Sequence, residues 1–190
     1  MTAGRLFRAS ERRATPWRNG GGVTREVAAG PADAGLEDFA WRVSLADVAA
    51  GGPFSSFPGV DRIITVVDGP GMELIVDGVP HTVDTPYEPF VFSGDAVTDC
   101  RLLGGPLVDF NVMTRRDAAT ADVRVTREKF AVAPQGAAQT LVIALSGTAT
   151  LAGTDVTLDR FDAALFSAHE PATVHVDGVT AAVTITPVSA

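Results

Sequence analysis

Two arginines stand on segments that are otherwise apolar, and an arginine there calls for an anion. In Val60-Asp61-Arg62-Ile63-Ile64-Thr65-Val66-Val67, strand alternation puts Arg62, Ile64 and Val66 on one face. A guanidinium in line with Ile and Val is costly to bury unless a carboxylate lies against it. That carboxylate is either internal, with Asp109 and Glu26 as candidates, or belongs to a ligand. In Trp41-Arg42-Val43-Ser44-Leu45, Arg42 and Ser44 share the face opposite Trp41, Val43 and Leu45. Such a polar face either meets water or lines the interior of a barrel. Asp109-Phe110-Asn111-Val112-Met113 puts Asp109, Asn111 and Met113 together, and an asparagine inside a β run goes against propensity. Arginine pairs with carboxylates in a planar, bidentate way, so the chemistry these residues point to is recognition of a small carboxylate.

A second polar segment is Trp17-Arg18-Asn19-Gly20-Gly21-Gly22-Val23-Thr24-Arg25-Glu26. Its glycines fit a hairpin turn, and they equally fit a site where backbone must come close to another group. In an extended strand Val23, Arg25 and Val27 share one face, and Thr24 and Glu26 the other. An arginine on a valine face snorkels or has an anionic partner. In the binding reading Arg42 and Arg62 hold the carboxylate and Arg25 joins the ligand-binding set. Asn19, Thr24, Ser44 and Asn111 fix its orientation by hydrogen bonds. Gly20 to Gly22 present backbone N–H groups, and Trp17 or Phe54, from Gly52-Pro53-Phe54-Ser55, walls the pocket.

No metal or cofactor is expected. The three histidines, His81, His169 and His175, show no His-x-His spacing and no convergent carboxylates. No phosphate loop, dinucleotide fingerprint or serine-nucleophile elbow is present. Cys100 is the single cysteine and sits in an apolar stretch as a small hydrophobe. The net charge of −8 argues against nucleic acid as a partner. Of the basic residues 14 are arginine and one is lysine, and 11 arginines precede residue 117, which places a carboxylate site in the first half. No apolar run is long enough to span a bilayer, so a membrane is not an expected partner and a cytoplasmic location is expected.

The elements that must position these residues are strands. Short β-rich runs recur between Gly, Pro and Asp: Trp41–Leu45, Arg62–Val67, Met72–Val76, Pro89–Phe92, Leu107–Met113, Thr140–Leu145, Ala163–Phe166 and Ala181–Ile185. Short helices are expected only around Ala46–Ala50 and Arg115–Ala121. Ile63 to Gly69 followed by Phe90-Val91-Phe92-Ser93 resembles Leu141 to Gly147 followed by Ala164-Leu165-Phe166-Ser167, and each copy runs on into a late strand. This repeat predicts an all-β fold of two tandem jelly-roll barrels. The expected division is residues 1–116, carrying the pocket, and 117–190, largely aliphatic and structural. Exposed strand edges make a homodimer plausible.

The ordered motifs Trp17 to Glu26, Trp41-Arg42-Val43-Ser44, Gly52-Pro53-Phe54-Ser55 with Phe57-Pro58-Gly59-Val60-Asp61-Arg62, and Asp109 to Met113 resemble the HutD/Ves family, from about residue 6 to 116. The resemblance implies a cupin-type, metal-free bicupin. One branch of that family is linked with histidine utilisation in an accessory or regulatory role, where small carboxylates such as urocanate, formiminoglutamate and formylglutamate arise; another is named for environmental stress. Three readings follow. The first is a protein that senses or buffers an acidic metabolite. The second is a metal-independent isomerase, epimerase or hydrolase with Glu26 or Asp109 as general base. The third is a structural or partner-binding barrel whose arginines satisfy internal carboxylates.

Overall fold

The structure, a computed structural model, describes residues 4–188. Its strands in chain order begin with β1 (Arg5–Phe7), β2 (Ala14–Pro16), β3 (Gly22–Gly30), β4 (Trp41–Val48), β5 (Gly52–Pro53) and β6 (Val60–Asp68). They continue with β7 (Met72–Val76), β8 (Val79–Val83), β9 (Phe90–Ser93), β10 (Thr98–Leu102) and β11 (Leu107–Arg115). The last are β12 (Ala119–Thr126), β13 (Phe130–Val132), β14 (Gln139–Leu151), β15 (Thr157–Leu158), β16 (Ala163–Phe166) and β17 (Ala172–Pro187). Among the described residues the one helical element is a 3-10 turn at Ala9–Glu11.

The all-β expectation holds, and every strand pairing is antiparallel. The two expected helices are absent. Ala46 to Val48 continue β4, because each has a partner on both β3 and β11. Arg115 ends β11, and a tight turn leads into β12 at Ala119. There the strand pairing overrides the modest helix preference of the alanines.

The chain separates into two compact units. The first, Arg13–Ala118, holds two sheets, ordered β2-β3-β4-β11-β6-β9 and β5-β10-β7-β8. Their facing apolar side chains, among them Ile64, Val66 and Leu107 from one sheet and Met72, Leu74 and Cys100 from the other, form one buried cluster. The second unit takes the chain from Ala119 onward together with the segment up to Arg12. Its sheet runs β1-β16-β14-β17-β12, with β13 on β17 and β15 on β14, around Phe166, Leu151, Leu158 and Val174. The N-terminal segment therefore differs from the sequence-based division: β1 pairs with β16, Arg5 opposite Leu165. Neither sheet order of the first unit, nor that of the second, closes on itself among the described residues.

The internal repeat is visible in the pairing. In the first unit β6 lies between β11 and β9; in the second β14 lies between β17 and β16. Arg62 faces Phe92 across one pair, and Thr140 faces Phe166 across the other. The same superposition of registers sets Asn111 against Ala182 and Asp109 against Thr180. The second copy thus carries Thr, Ala and Thr at the three positions where the first carries Arg, Asn and Asp.

Candidate functional site

The site is built on three adjacent strands, β4, β11 and β6, whose register lays polar side chains in rows. One row reads Arg42, Met113, Arg62; the next reads Ser44, Asn111, Ile64; the third reads Ala46, Asp109, Val66. Residues directly opposite in an antiparallel ladder point to the same face, and alternation keeps all three rows on it. That face is the one that carries Ile64, Val66 and Leu107 into the core of the first unit. Ser44, Arg62, Asp109 and Asn111 are all buried there, with Asp109 1% and Arg62 7% exposed.

Arg62 is held in an unusual way for a buried cation. One terminal nitrogen donates to Asn111 Oδ1 at 3.0 Å, and Asn111 Nδ2 donates to Asp109 Oδ1. A guanidinium only donates and an ionised carboxylate only accepts, so the two neighbours between them fix which way the Asn111 amide faces. The rings of Phe54, Phe57 and Phe92 lie around the guanidinium, with centroids 5.3, 5.7 and 4.9 Å from its central carbon. Arg62 Nε is buried with no hydrogen-bond partner, and no ion pair to Arg62 exists among the described residues. Burial lowers the Arg62 pKa to about 10; the charge of Asp109 acts against this and that of Arg42 with it. The side chain stays cationic at neutral pH.

Asp109 shows the reverse. Burial raises its pKa to about 7, although Arg62 and the Asn111 hydrogen bond pull it down; Asp47 pushes it further up. The cluster is therefore a cation that lacks an anion beside a carboxyl group that is only partly ionised near neutrality.

The other predicted residues divide. Arg42 lies on the same face and pairs with Glu26, Nε to Oε2 at 2.7 Å; its side chain is 13% exposed and that of Glu26 46%. Phe54 reaches both Arg62 and Trp17, whose ring centroid is 6.3 Å away. Thr24 accepts a hydrogen bond from the Trp17 indole at 2.7 Å and so fixes that ring. Asn19 is used locally: its Oδ1 accepts from Gly21 N at 2.9 Å. Arg25 is not brought to the cluster. It sits opposite Leu45, on the other face of the sheet, and pairs with Asp47.

The glycines serve the turn between β2 and β3. Gly20 has φ +72° in open space, a conformation that L side chains resist. A Cβ on Gly22 would collide with the Asp47 carbonyl oxygen and crowd the Trp17 ring at 3.2 Å. The Gly20 and Gly21 amides donate to Trp17 O and Asn19 Oδ1, so they are occupied within the turn and not offered to a ligand.

Phe57 and Phe92 belong to the site and lie outside the predicted set. The Phe-Val-Phe alternation of β9 puts Phe90 and Phe92 on one face, which is a readable signal; Phe57 lies in a loop, where alternation says nothing, and its place in the motif that ends at Arg62 is the signal it carries. His81 packs on Phe90, 5.1 Å between centroids. Among the described residues no three His, Cys, Asp or Glu side chains converge as metal ligands would, and no helix is long and apolar enough to cross a membrane.

The all-β, antiparallel architecture is like that of cupin-fold proteins. A cupin 2 conserved barrel protein from Leptotrichia buccalis superposes with a TM-score of 0.60 at 10% identity, over 99% of this chain and 98% of that one, a likeness of fold alone. The chain belongs to the HutD family, whose model matches residues 9–184. HutD from Pseudomonas fluorescens SBW25, in a structure described as the formate condition, is 32% identical with a TM-score of 0.84 over 97% of this chain and 99% of that one. Protein Ves from Citrobacter koseri is 40% identical over 148 residues, 76% of this chain and 74% of its own length. An uncharacterized 21.2 kDa protein in the hutC 3' region of Pseudomonas putida is 45% identical over 113 residues, 60% of this chain. That match spans 59% of the Pseudomonas putida protein.

Proposed function

We propose that this protein is a bicupin that binds a small anionic metabolite by its carboxylate at Arg62, inside the first unit, and serves as an accessory or regulatory protein of histidine utilisation. The observation that carries the reading is the state of Arg62: buried, charged, ringed by Phe54, Phe57 and Phe92, and without an ion pair. A carboxylate ligand supplies the missing acceptor, and Arg42 on the same face supplies a second cation once Glu26 is displaced. The repeat supports the bicupin reading, since β9-β6-β11 and β16-β14-β17 share one order. The pathway is supported by the HutD family membership and by the Pseudomonas putida relative in the hutC 3' region.

The binding reading is favoured over general-base catalysis because both candidate bases are engaged. Glu26 accepts from Arg42, and Asp109 accepts from Asn111. The test is isothermal titration of formylglutamate, formiminoglutamate, urocanate and glutamate into wild type and Arg62→Ala. Saturable binding to at least one of them, weakened by roughly 10-fold or more in the variant, is the expected result for a lost charge-assisted contact. Equal binding by both proteins would overturn the site, and no binding of any of the four would remove the link to that pathway.

A further inference from the structure

Asp109 is a buried ionisable group for which anion binding itself has no use. It lies on the same inner face as Arg62 and is joined to it through Asn111, which donates to Asp109 and accepts from Arg62. Arg62 and Asp109 make no direct ion pair, so Asp109 keeps its charge with support from one neutral donor and from the field of Arg62. The elements around it offer little else. From β4 it is faced by Ala46 and, beyond that residue, by Thr24 on β3. Asp47 on β4 adds a second negative charge that works against its ionisation. Cys100 on β10 lies within its field, but burial pushes that thiol up to about 11, so it stays neutral. Met72 and Leu74 on β7 carry no charge. Arg42 on the same face is paired with Glu26.

We propose that Asp109 takes up a proton when an anion occupies Arg62, which makes Asp109 the residue that ties ligand affinity at this site to pH; this rests on the reading of Arg62 as the anion site. The physical reason is direct. An anion on the guanidinium cancels the one positive field that supports the Asp109 carboxylate and adds a like charge within the same low-dielectric interior. The burial that already holds Asp109 at about 7 then acts with less opposition. By linkage, affinity is flat below the value of the free protein. Above it, affinity falls with rising pH by up to about tenfold per unit until the value of the occupied protein is reached.

The experiment uses formate, the smallest carboxylate, which stays ionised throughout pH 6–9. The full chain, labelled with carbon-13 and nitrogen-15, is titrated with base, with and without saturating formate. The Arg62 Nε–H resonance reports occupancy, and the Asp109 carboxyl carbon reports its proton. The expected result is a formate-dependent shift at Arg62 together with an upward move of the Asp109 midpoint. A shift at Arg62 with an unmoved Asp109 midpoint would overturn the proton coupling and leave the anion site standing. No shift at Arg62 would overturn both. Asp109→Asn adds a second readout, because the amide oxygen it introduces still accepts from Asn111: the formate affinity of this variant is expected to be the same at pH 6 and pH 9, whereas that of wild type falls. An equal fall in both proteins would also overturn the coupling, and the wild-type titration decides the matter should the variant not fold.

Discussion

Arg62 and Phe92 face each other across the β6–β9 pair, and the guanidinium carbon lies 4.9 Å from the ring centroid. The second unit has the same pair of positions, occupied by Thr140 and Phe166. One ring of the aromatic wall, that of Phe92, thus has a counterpart in the second copy, and the charge belongs to the first alone. A cation over an aromatic face gains about 0.5–2 kcal/mol, which falls short of the several kcal/mol that desolvating an unpaired guanidinium costs. The remainder has to come from the well-packed core around it, and the proposed anion site is a reason for keeping a charge there at that cost.

Arg62→Met tests this imbalance. Removing the buried charge in favour of an apolar side chain of similar length relieves its desolvation but leaves Asn111 Oδ1 without a donor, so stability is expected to change by no more than about 1 kcal/mol either way, while anion binding is lost. Urea denaturation and the titration described above read the two effects on the same preparation. A loss of more than about 2 kcal/mol would assign Arg62 to the structural framework instead.

Asn111 carries the opposite expectation. Asn111→Ala leaves Asp109 without a donor and removes the acceptor of Arg62, so two buried polar groups lose their partner at once. A destabilisation of about 2–4 kcal/mol follows, larger at pH 8 than at pH 6, because the Asp109 charge it strands is more fully formed at the higher pH. Chemical denaturation at the two pH values measures it.

The pH dependence of stability has a definite sign at Asp109. Its folded-state pKa, about 7, is above the ordinary carboxyl value of 3.8, so the folded chain holds the proton more tightly. Its contribution to stability is complete below the unfolded value and is lost as pH rises toward 7. Asp95 and Asp162, whose pKa values are held down by Arg116 and by the Ala9 amide with Arg8, work in the reverse direction at more acid pH. The stability difference between wild type and Asp109→Asn therefore isolates the term: it changes steadily between about pH 4 and 7 and is constant above that range.

The glycine run separates two kinds of cost. Gly20→Ala meets no atom, but it holds φ +72°, so the expected loss is about 1 kcal/mol. Gly22→Ala drives a methyl into the Asp47 carbonyl and the Trp17 ring. It is expected to cost more, about 2–4 kcal/mol, and to shift the fluorescence of Trp17 as its hydrogen bond to Thr24 is disturbed. Equal losses at the two positions would contradict this account of the turn.

Much of this protein is determined locally and is therefore readable from the chain. Period-two alternation follows from the pleat of an extended backbone, so it predicts Met72–Val76 and Ala163–Phe166 at their observed bounds. It also predicts that Arg62 shares a face with Ile64 and Val66, and Asn111 one with Asp109. The short helices expected at Ala46 and Arg115 do not form, because alanine-rich composition is a weak preference that strand pairing outweighs. Tertiary structure alone decided the register, and register is what makes the site. It set Met113 between Arg42 and Arg62, joined Asp109 to Arg62 through Asn111, turned Arg25 to the opposite face toward Asp47, and carried β1 to β16 across most of the chain. None of these is a property of one segment. Each depends on which strand lies beside which and by how many residues it is offset, and that is settled only when two sheet faces are buried together.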